Sequence, residues 1–270
     1  MGQEGLYYKT IDGGDNWTLM SQIVGNNNLR SVDFIDSNTG YVAVEHSGIY
    51  KTTTGGTSFA STSAPTYTEL CDVYFTNSTN GFAGGKSGPS STGTFAITTN
   101  GAVDWAGNTI ASASEISRVF FISNNYWAVT RAGEVLRSTN SGNTWNTTSL
   151  TNYLSTVWFT DANNGWVGST NNGLFKTTDE GTTWTAITIE VDGIPISRAE
   201  DIMFIDQDHG FILANFNTSY LLYTNDGGAT WNGQDCGTTT NELLRRIYFI
   251  SSSEGFGVGT AETIVKFTKN

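Results

Sequence analysis

Aspartate and asparagine recur in this sequence in two spacings that could either hold a cation or order a turn. The first is Ser/Thr-x-Asp/Asn-x-Gly-x-x-Trp, which sets Asp12, Gly14 and Trp17 in register with Asn140, Gly142 and Trp145, with Asp179, Gly181 and Trp184, and with Asp226, Gly228 and Trp231. Worn copies lie at 52–59 and 98–105. In such a turn the short side chain accepts backbone N–H bonds, glycine takes dihedrals closed to other residues, and tryptophan folds back over the loop. These residues read as structural, not catalytic. The second spacing is Asp36-x-Asn38-x-Gly40, repeated at Asp161-x-Asn163-x-Gly165 and Asp206-x-Asp208-x-Gly210. It gathers hard oxygens as calcium loops do, but lacks the EF-hand spacing and its distal glutamate, so hairpin turns are expected and no metal.

Other chemistries find less support. His46 and His209 are isolated, and Cys71 and Cys236 have no CxxC partner, which argues against zinc, a catalytic triad or a disulfide framework. Gly81-Phe-Ala-Gly-Gly85-Lys86-Ser87 has too few residues between its outer glycines for a phosphate loop and no helix behind it, so a strand-end turn is expected and no nucleotide cofactor. One charged column is more suggestive. Ser31, Asp72, Arg118, Thr156, Asp201 and Arg246 each precede a Val or Ile, and their signs alternate. If the strands that carry them line a common axis, Asp72 meets Arg118 and Asp201 meets Arg246, as packing ion pairs or as a polar mouth for a small ligand or ion.

These residues must be positioned by a repeat of about 43 residues, a period that marks solenoids and propellers. Between the Asp-bearing turns lie Val32/Phe34, Val73/Phe75, Val119/Phe121, Val157/Phe159, Ile202/Phe204 and Ile247/Phe249, pairs whose period-two spacing puts both side chains on one face of a strand. An aromatic opens the next strand: Tyr41, Phe82, Trp127, Trp166, Phe211 and Phe256, after Gly in five of the six. Each repeat supplies four short strands and no helix. The expected fold is all-β, a single propeller domain over 1–270 made of four-stranded antiparallel blades, six in number with seven as the alternative. Repeats run near 29–62, 70–110, 116–148, 154–188, 199–233 and 243–270, with 5–20 left over. The last repeat lacks a fourth strand and 17–20 offers one, so the N- and C-terminal strands are expected to share a blade and close the ring. Both 6–10 and 264–268 then read as third strands, and the surplus one could pair with another molecule.

Composition narrows the function. Charged residues make up 14% and aromatics 13%, with 31 Gly and 3 Pro, which suits a packed globular chain. No apolar run approaches the roughly 18 residues of a membrane helix, and the start has no secretory leader pattern. A net charge of −12 with 13 Lys and Arg argues against nucleic acid, whose binding rests on basic contacts. The Thr-, Ser- and Asn-rich composition suggests a secreted, cell-surface or virion protein; sequons at Asn16, Asn77, Asn146 and Asn217 would matter only in a eukaryotic secretory host.

The combined pattern, V-x-F-x-[DNS]-x-x-x-G-[WFY] followed by [ST]-x-[DN]-x-G-x-[TS]-W, resembles the photosystem II stability/assembly factor-like repeat family, a branch of the BNR/Asp-box propellers. The resemblance spans roughly 5–270 and implies a propeller. It also implies an interaction module, secreted or on a surface, that takes a protein or glycan partner on one loop face. Photosynthetic members assemble complexes through a basic patch, and this chain has no dense arginine cluster. Asp boxes also occur in sialidases and glucan-cleaving propellers. Arg30, Arg118, Arg131, Arg137, Arg198, Arg245 and Arg246 could supply a sialidase arginine cluster, but no sialidase motif surrounds them. A non-catalytic module without cofactors is therefore expected, with glycoside hydrolysis and a structural subunit as alternatives. The longest connections, 86–93 and 189–197, are candidate contact loops.

Overall fold

The structure, a computed structural model, describes residues 2–20, 22–64, 69–88, 92–110, 113–150, 153–191, 193–215 and 217–268. Loop 86–93 and the Thr268-Lys269-Asn270 start of a further repeat lie partly outside them. The chain divides into two compact units, Met1–Thr130 with Ser138–Trp145, and Arg131–Arg137 with Asn146–Asn270. The fold class is all-β, a six-blade propeller of four-stranded antiparallel sheets; beyond a 3-10 turn at Gln3–Gly5, no helix occurs among the described residues.

In the first unit β1 (Tyr8–Lys9) pairs with β2 (Thr18–Leu19). The first sheet is β3 (Leu29–Phe34), β4 (Gly40–Val44), β5 (Gly48–Thr52) and β6 (Ala60–Ser61); the second is β7 (Glu69–Phe75), β8 (Gly81–Ser87), β9 (Thr92–Thr98) and β10 (Ala106–Thr109). The third repeat contributes the β11 (Ile116–Ile122) and β12 (Asn125–Thr130) hairpin here, and the β13 (Glu134–Ser138) and β14 (Asn146–Ser149) hairpin to the second unit. That unit continues with β15 (Leu154–Phe159), β16 (Gly165–Ser169), β17 (Gly173–Thr177) and β18 (Thr185–Ile187). A small hairpin follows, of β19 (Glu190–Val191) and β20 (Ile194–Pro195). Next come the sheet of β21 (Ala199–Phe204), β22 (Gly210–Asn215), β23 (Ser219–Thr224) and β24 (Asn232–Asp235), and the three-stranded sheet of β25 (Leu244–Ser251), β26 (Glu254–Gly259) and β27 (Ile264–Thr268).

Thr18–Leu19 finds its ladder partner in Tyr8–Lys9, and Ile264–Thr268 pairs with β26. One expectation needs correction. The stretch from Gly81 to Ser87 is not a strand-end turn but all of strand β8, paired along its length with β9.

Cross-strand register explains the glycine that precedes the aromatic. Phe34 faces Gly40, Phe75 faces Gly81, Phe159 faces Gly165, Phe204 faces Gly210 and Phe249 faces Gly255. Each ring lies on its glycine so closely that an added Cβ would stand 2.4–2.7 Å from a ring carbon. In the third repeat Tyr126 replaces the glycine, and Phe121 stacks on its ring at 5.0 Å. Within each unit such a Phe also stacks on the aromatic that opens the second strand of the preceding sheet. Tyr41 stacks on Phe75 and Phe211 on Phe249, both at 3.6 Å, and Trp166 on Phe204 at 5.8 Å. The apolar core is thus a series of layers between successive sheets, such as Tyr41, Ala43 and Ile49 against Leu70, Val73 and Phe75. Burial of such side chains is the main stabilising contribution.

Candidate functional site

Every first strand carries a register shift at the same place. It falls between Leu29 and Ser31, Leu70 and Asp72, Ile116 and Arg118, Leu154 and Thr156, Ala199 and Asp201, and Leu244 and Arg246. The skipped residues are Arg30, Cys71, Ser117, Ser155, Glu200 and Arg245. A bulge re-aims its side chain away from the pleat and is a frequent neighbour of functional sites.

In the first unit these residues join a charge network. Arg30 Nη2 lies 2.7 Å from Glu45 Oε1 and 2.8 Å from Glu69 Oε1; Lys86 Nζ lies 2.6 Å from Glu69 and 3.2 Å from Glu115. The Cys71 thiol donates to Glu115 Oε1 at 3.4 Å. The Glu69 hydrogen bond, with Glu115 beside it, holds the Lys86 ammonium above its ordinary range. Burial opposes ionisation of Glu45, yet the Arg30 and Asn28 hydrogen bonds hold its carboxyl low. Ligand atoms of Glu69, Cys71 and Glu115 lie within 4.8 Å of one another. A thiol with two carboxylates suits a thiophilic divalent ion, but Lys86 fills the cation's place, so the cluster is already charge-compensated. In the second unit Glu200 takes two arginines, Arg198 Nε at 2.5 Å and Arg245 Nη1 at 3.1 Å. Both arginine side chains are about two-fifths exposed, at 40% and 44%.

The column next to the bulge does something the sequence reading did not anticipate. First strands are sheet edges, so alternate N–H groups have no ladder partner. Side chains of the preceding first strand accept them. Asp33 Oδ2 takes the Phe75 N–H (2.6 Å) and Asp72 Oδ2 the Val119 N–H (3.0 Å); Thr156 Oγ1 takes Ile202 (3.3 Å) and Asp201 Oδ2 takes Ile247 (3.0 Å). Asp72 also accepts Ser31 Oγ at 2.6 Å and lies 3.3 Å from Arg118 Nη1. Asp201 accepts Thr156 Oγ1, and Arg246 Nη1 donates to the Arg245 carbonyl. Burial, reinforced by the Asp72 carboxylate, pushes the Asp33 carboxyl up to about 7 against the opposing Phe75 N–H and Arg118.

The Asp-bearing turns are closed by their own hydrogen bonds. The Gly14, Gly142, Gly181 and Gly228 N–H groups donate to Thr10, Ser138, Thr177 and Thr224 hydroxyls at 2.8–2.9 Å. Asp12, Asn140, Asp179 and Asp226 each accept the N–H four residues on at 2.9 Å. Trp145 and Trp184 indoles donate to the Gly142 and Gly181 carbonyls. Trp17 stands at the equivalent position, and Trp231 packs on Phe204 and Trp166. Asp36, Asp161 and Asp206 each accept two backbone N–H bonds in their hairpin turns.

Side-chain hydrogen bonds from Asn16, Thr183 and Thr230 hold Asp12, Asp179 and Asp226 at about 2. A carboxylate held below its unfolded value stabilises the fold above that value, and the contribution is lost as pH falls through the folded value. Melting temperature should therefore fall between about pH 4 and pH 2. Replacing all three by Asn, as nature has it at Asn140, should flatten that limb; an unchanged acid limb would refute the assignment.

As a column the bulge residues are hidden in the sequence because they break the alternation, although Arg30, Cys71 and Arg245 stand out singly. The column holds Arg, Cys, Ser, Ser, Glu and Arg, with no aliphatic or aromatic residue, and that was the available signal.

No family model and no curated protein matches the chain. Among solved structures, YCF48 bound to D1 peptide is similar at a TM-score of 0.72 and 16% identity, over 100% of this chain and 88% of that one. YCF48 from Cyanidioschyzon merolae is similar at 0.55 and 19%, over 90% and 96%. A Niastella koreensis GH74 enzyme is similar at 0.62 and 15%, over 93% of this chain but 46% of that one. At these identities the likeness is one of fold.

Proposed function

We propose that the chain is a non-catalytic binding module that takes a protein segment on the side of its sheets where the bulged residues stand. The observation that carries this is the Arg198–Glu200–Arg245 cluster. Two guanidiniums share one carboxylate, are substantially exposed, and each carries five N–H donors, one of them given to Glu200, in a fork that matches carboxylates. An acidic side chain or peptide C-terminus is the chemistry they fit. A fold neighbour that binds a peptide supports the reading. A glycan partner and a place outside the cytoplasm or on a virion rest on sequence resemblance and composition.

Hydrolysis is the weaker reading, although the Glu69 and Glu115 carboxylates lie near each other. A general acid and a base need different environments, whereas these two share one lysine. The test is a fluorescent peptide library with free acidic C-termini, together with a panel of neutral and sialylated glycans. Arg198→Gln with Arg245→Gln, combined with Glu200→Gln so that no buried carboxylate is stranded, should weaken peptide binding about tenfold or more in a chain that still folds by circular dichroism. Unchanged peptide affinity would overturn the assignment, and glycan cleavage abolished by Glu115→Gln would replace it with the enzymatic one.

A further inference from the structure

Two ladders of second and third strands run past the pair that opens the bulge, and each lies beside one of the charged clusters. The β4/β5 and β16/β17 ladders end at Val44/Gly48 and Ser169/Gly173, level with the bulge. The β8/β9 ladder goes on to Lys86/Gly93 and Ser87/Thr92, and the β22/β23 ladder to Asn215/Ser219. Lys86 and Asn215 therefore hold the same place, one residue beyond the Leu70/Gly85 and Ala199/Ala214 pairs.

The two residues act differently there. Lys86 meets Glu69 and Glu115 with its charge. Asn215 has no charge and bonds main chain. Its N–H donates to the Arg198 carbonyl at 3.3 Å, and its Nδ2 donates to the carbonyl of Leu244, the residue before Arg245, at 2.9 Å. Across the rung, Ser219 Oγ accepts the Leu244 N–H at 2.9 Å, so both polar backbone groups of Leu244 are held by one rung of the neighbouring sheet. Ser219 is itself fixed, its N–H on Thr238 Oγ1 and its carbonyl on the Cys236 N–H, both at 2.9 Å. Asn215 and Ser219 are fully buried, at 2% and 0% exposure. Asn215 Oδ1 has no partner among the described residues, and a buried acceptor left unpaired lowers stability. The amide is thus an expensive choice for packing alone, and its donor is what ties the two arginine-bearing strands together.

We infer that Asn215, with Ser219, is the positioning clamp of the arginine pair, holding Arg198 and Arg245 at the span of one carboxylate. This rests on the reading of that pair as a carboxylate site. Arg198 Nε and Arg245 Nη1 converge on the same oxygen, Glu200 Oε1, so the gap between them suits one anion and not two. The clamp uses no guanidinium donor, which leaves the remaining forks to the ligand. Donors ordered in advance raise affinity because less freedom is lost on binding. The partner that fits presents a single carboxylate, at a chain terminus or on one acidic side chain.

Asn215→Leu keeps the size and the N–H to Arg198 but loses the amide donor. Ser219→Ala, which loses the Leu244 acceptor, serves if the leucine disturbs the fold. The whole chain, folded by circular dichroism and held well below its melting temperature, is titrated with a fluorescent peptide ending in a free glutamate and with the same peptide ending in glutamine amide. The wild type should prefer the acid about tenfold or more, and the variant should bind the acid about tenfold more weakly with the amide unchanged, so that the preference collapses. A merely structural Asn215 would lower the melting temperature and leave the preference intact, which overturns the inference. A second readout needs no ligand: the side-chain N–H signals of Arg245 in 15N NMR should shift in the variant while those of Arg30 stay in place. If no acid-ended peptide binds the wild type, the carboxylate reading falls, and unmoved Arg245 signals would overturn the clamp separately.

Discussion

Gly85→Ala should destabilise the first unit by about 3 kcal/mol or more, an effect far beyond the usual cost of one methyl group. An added Cβ would stand 2.0 Å from the Glu69 carbonyl oxygen and 2.9 Å from Leu70 Cα, both backbone atoms with no rotamer to yield. Gly85 pairs with Leu70 at the start of the bulge, and Lys86 pairs with Glu69. Relief of the clash must open that strand pair and scatter the Glu69–Lys86–Glu115 network. Gly259 repeats the situation, 2.2 Å from the Leu243 carbonyl. Val44, Thr130, Ser169 and Ala214 hold the equivalent position elsewhere, so the requirement belongs to these two close approaches and not to the repeat. Denaturant unfolding followed by tryptophan fluorescence measures the loss. Gly237→Asn is the control, since Gly237 has a φ of +70° with open space around it and Asn tolerates that region, for an expected change below about 1 kcal/mol. Equal effects at Gly85 and Gly237 would refute the steric argument.

Asp72→Ala is expected to cost about 3–5 kcal/mol, because it strands a buried N–H at Val119 and leaves Arg118 without its carboxylate. The residue is 3% exposed and joins three elements through Ser31, Arg118 and the Val119 backbone. Asp72→Asn keeps an acceptor and should cost about 1–2 kcal/mol, and Ser31→Ala about 1 kcal/mol. Adding Arg118→Met to Asp72→Ala should recover part of the loss, since a partly buried cation that has lost the Asp72 carboxylate is removed along with it. Strict additivity in that double-mutant cycle would mean that the Asp72–Arg118 pair contributes nothing.

The repeat was legible because its two strongest signals are geometric necessities. Phe34 and its counterparts need a glycine across the ladder, and Asp179 and its counterparts need a glycine two residues on; both leave fixed spacings in the sequence. Even there the third repeat departs, with Tyr126 in the glycine's place. The charged column was legible as a column, and so was the Asp72–Arg118 pair, but its backbone partners were not. Asp72 and Asp201 serve the N–H groups of Val119 and Ile247, and a backbone donor has no residue letter to read. The bulge network was hidden for a related reason. Inserting one residue between Leu70 and Asp72 lifts Cys71 out of the pleat, and a pattern search at period two passes over it. Glu69 and Glu115 hold the same position in successive repeats, just before Leu70 and Ile116, but the sequence does not say that these positions meet across neighbouring sheets.

The edge bonds between first strands carry a lesson about how such a chain could have grown. The donor in each is main chain, which every amino acid but proline supplies, while the acceptor is a side chain that has drifted among Asp, Thr and, at Met203, sulfur. A duplicated repeat therefore arrives already offering its N–H to the one before it, provided no proline stands there, and needs only a single acceptor to satisfy the one after. Gene duplication followed by heavy divergence is tolerated under that rule, since only one side of each joint has to be remembered.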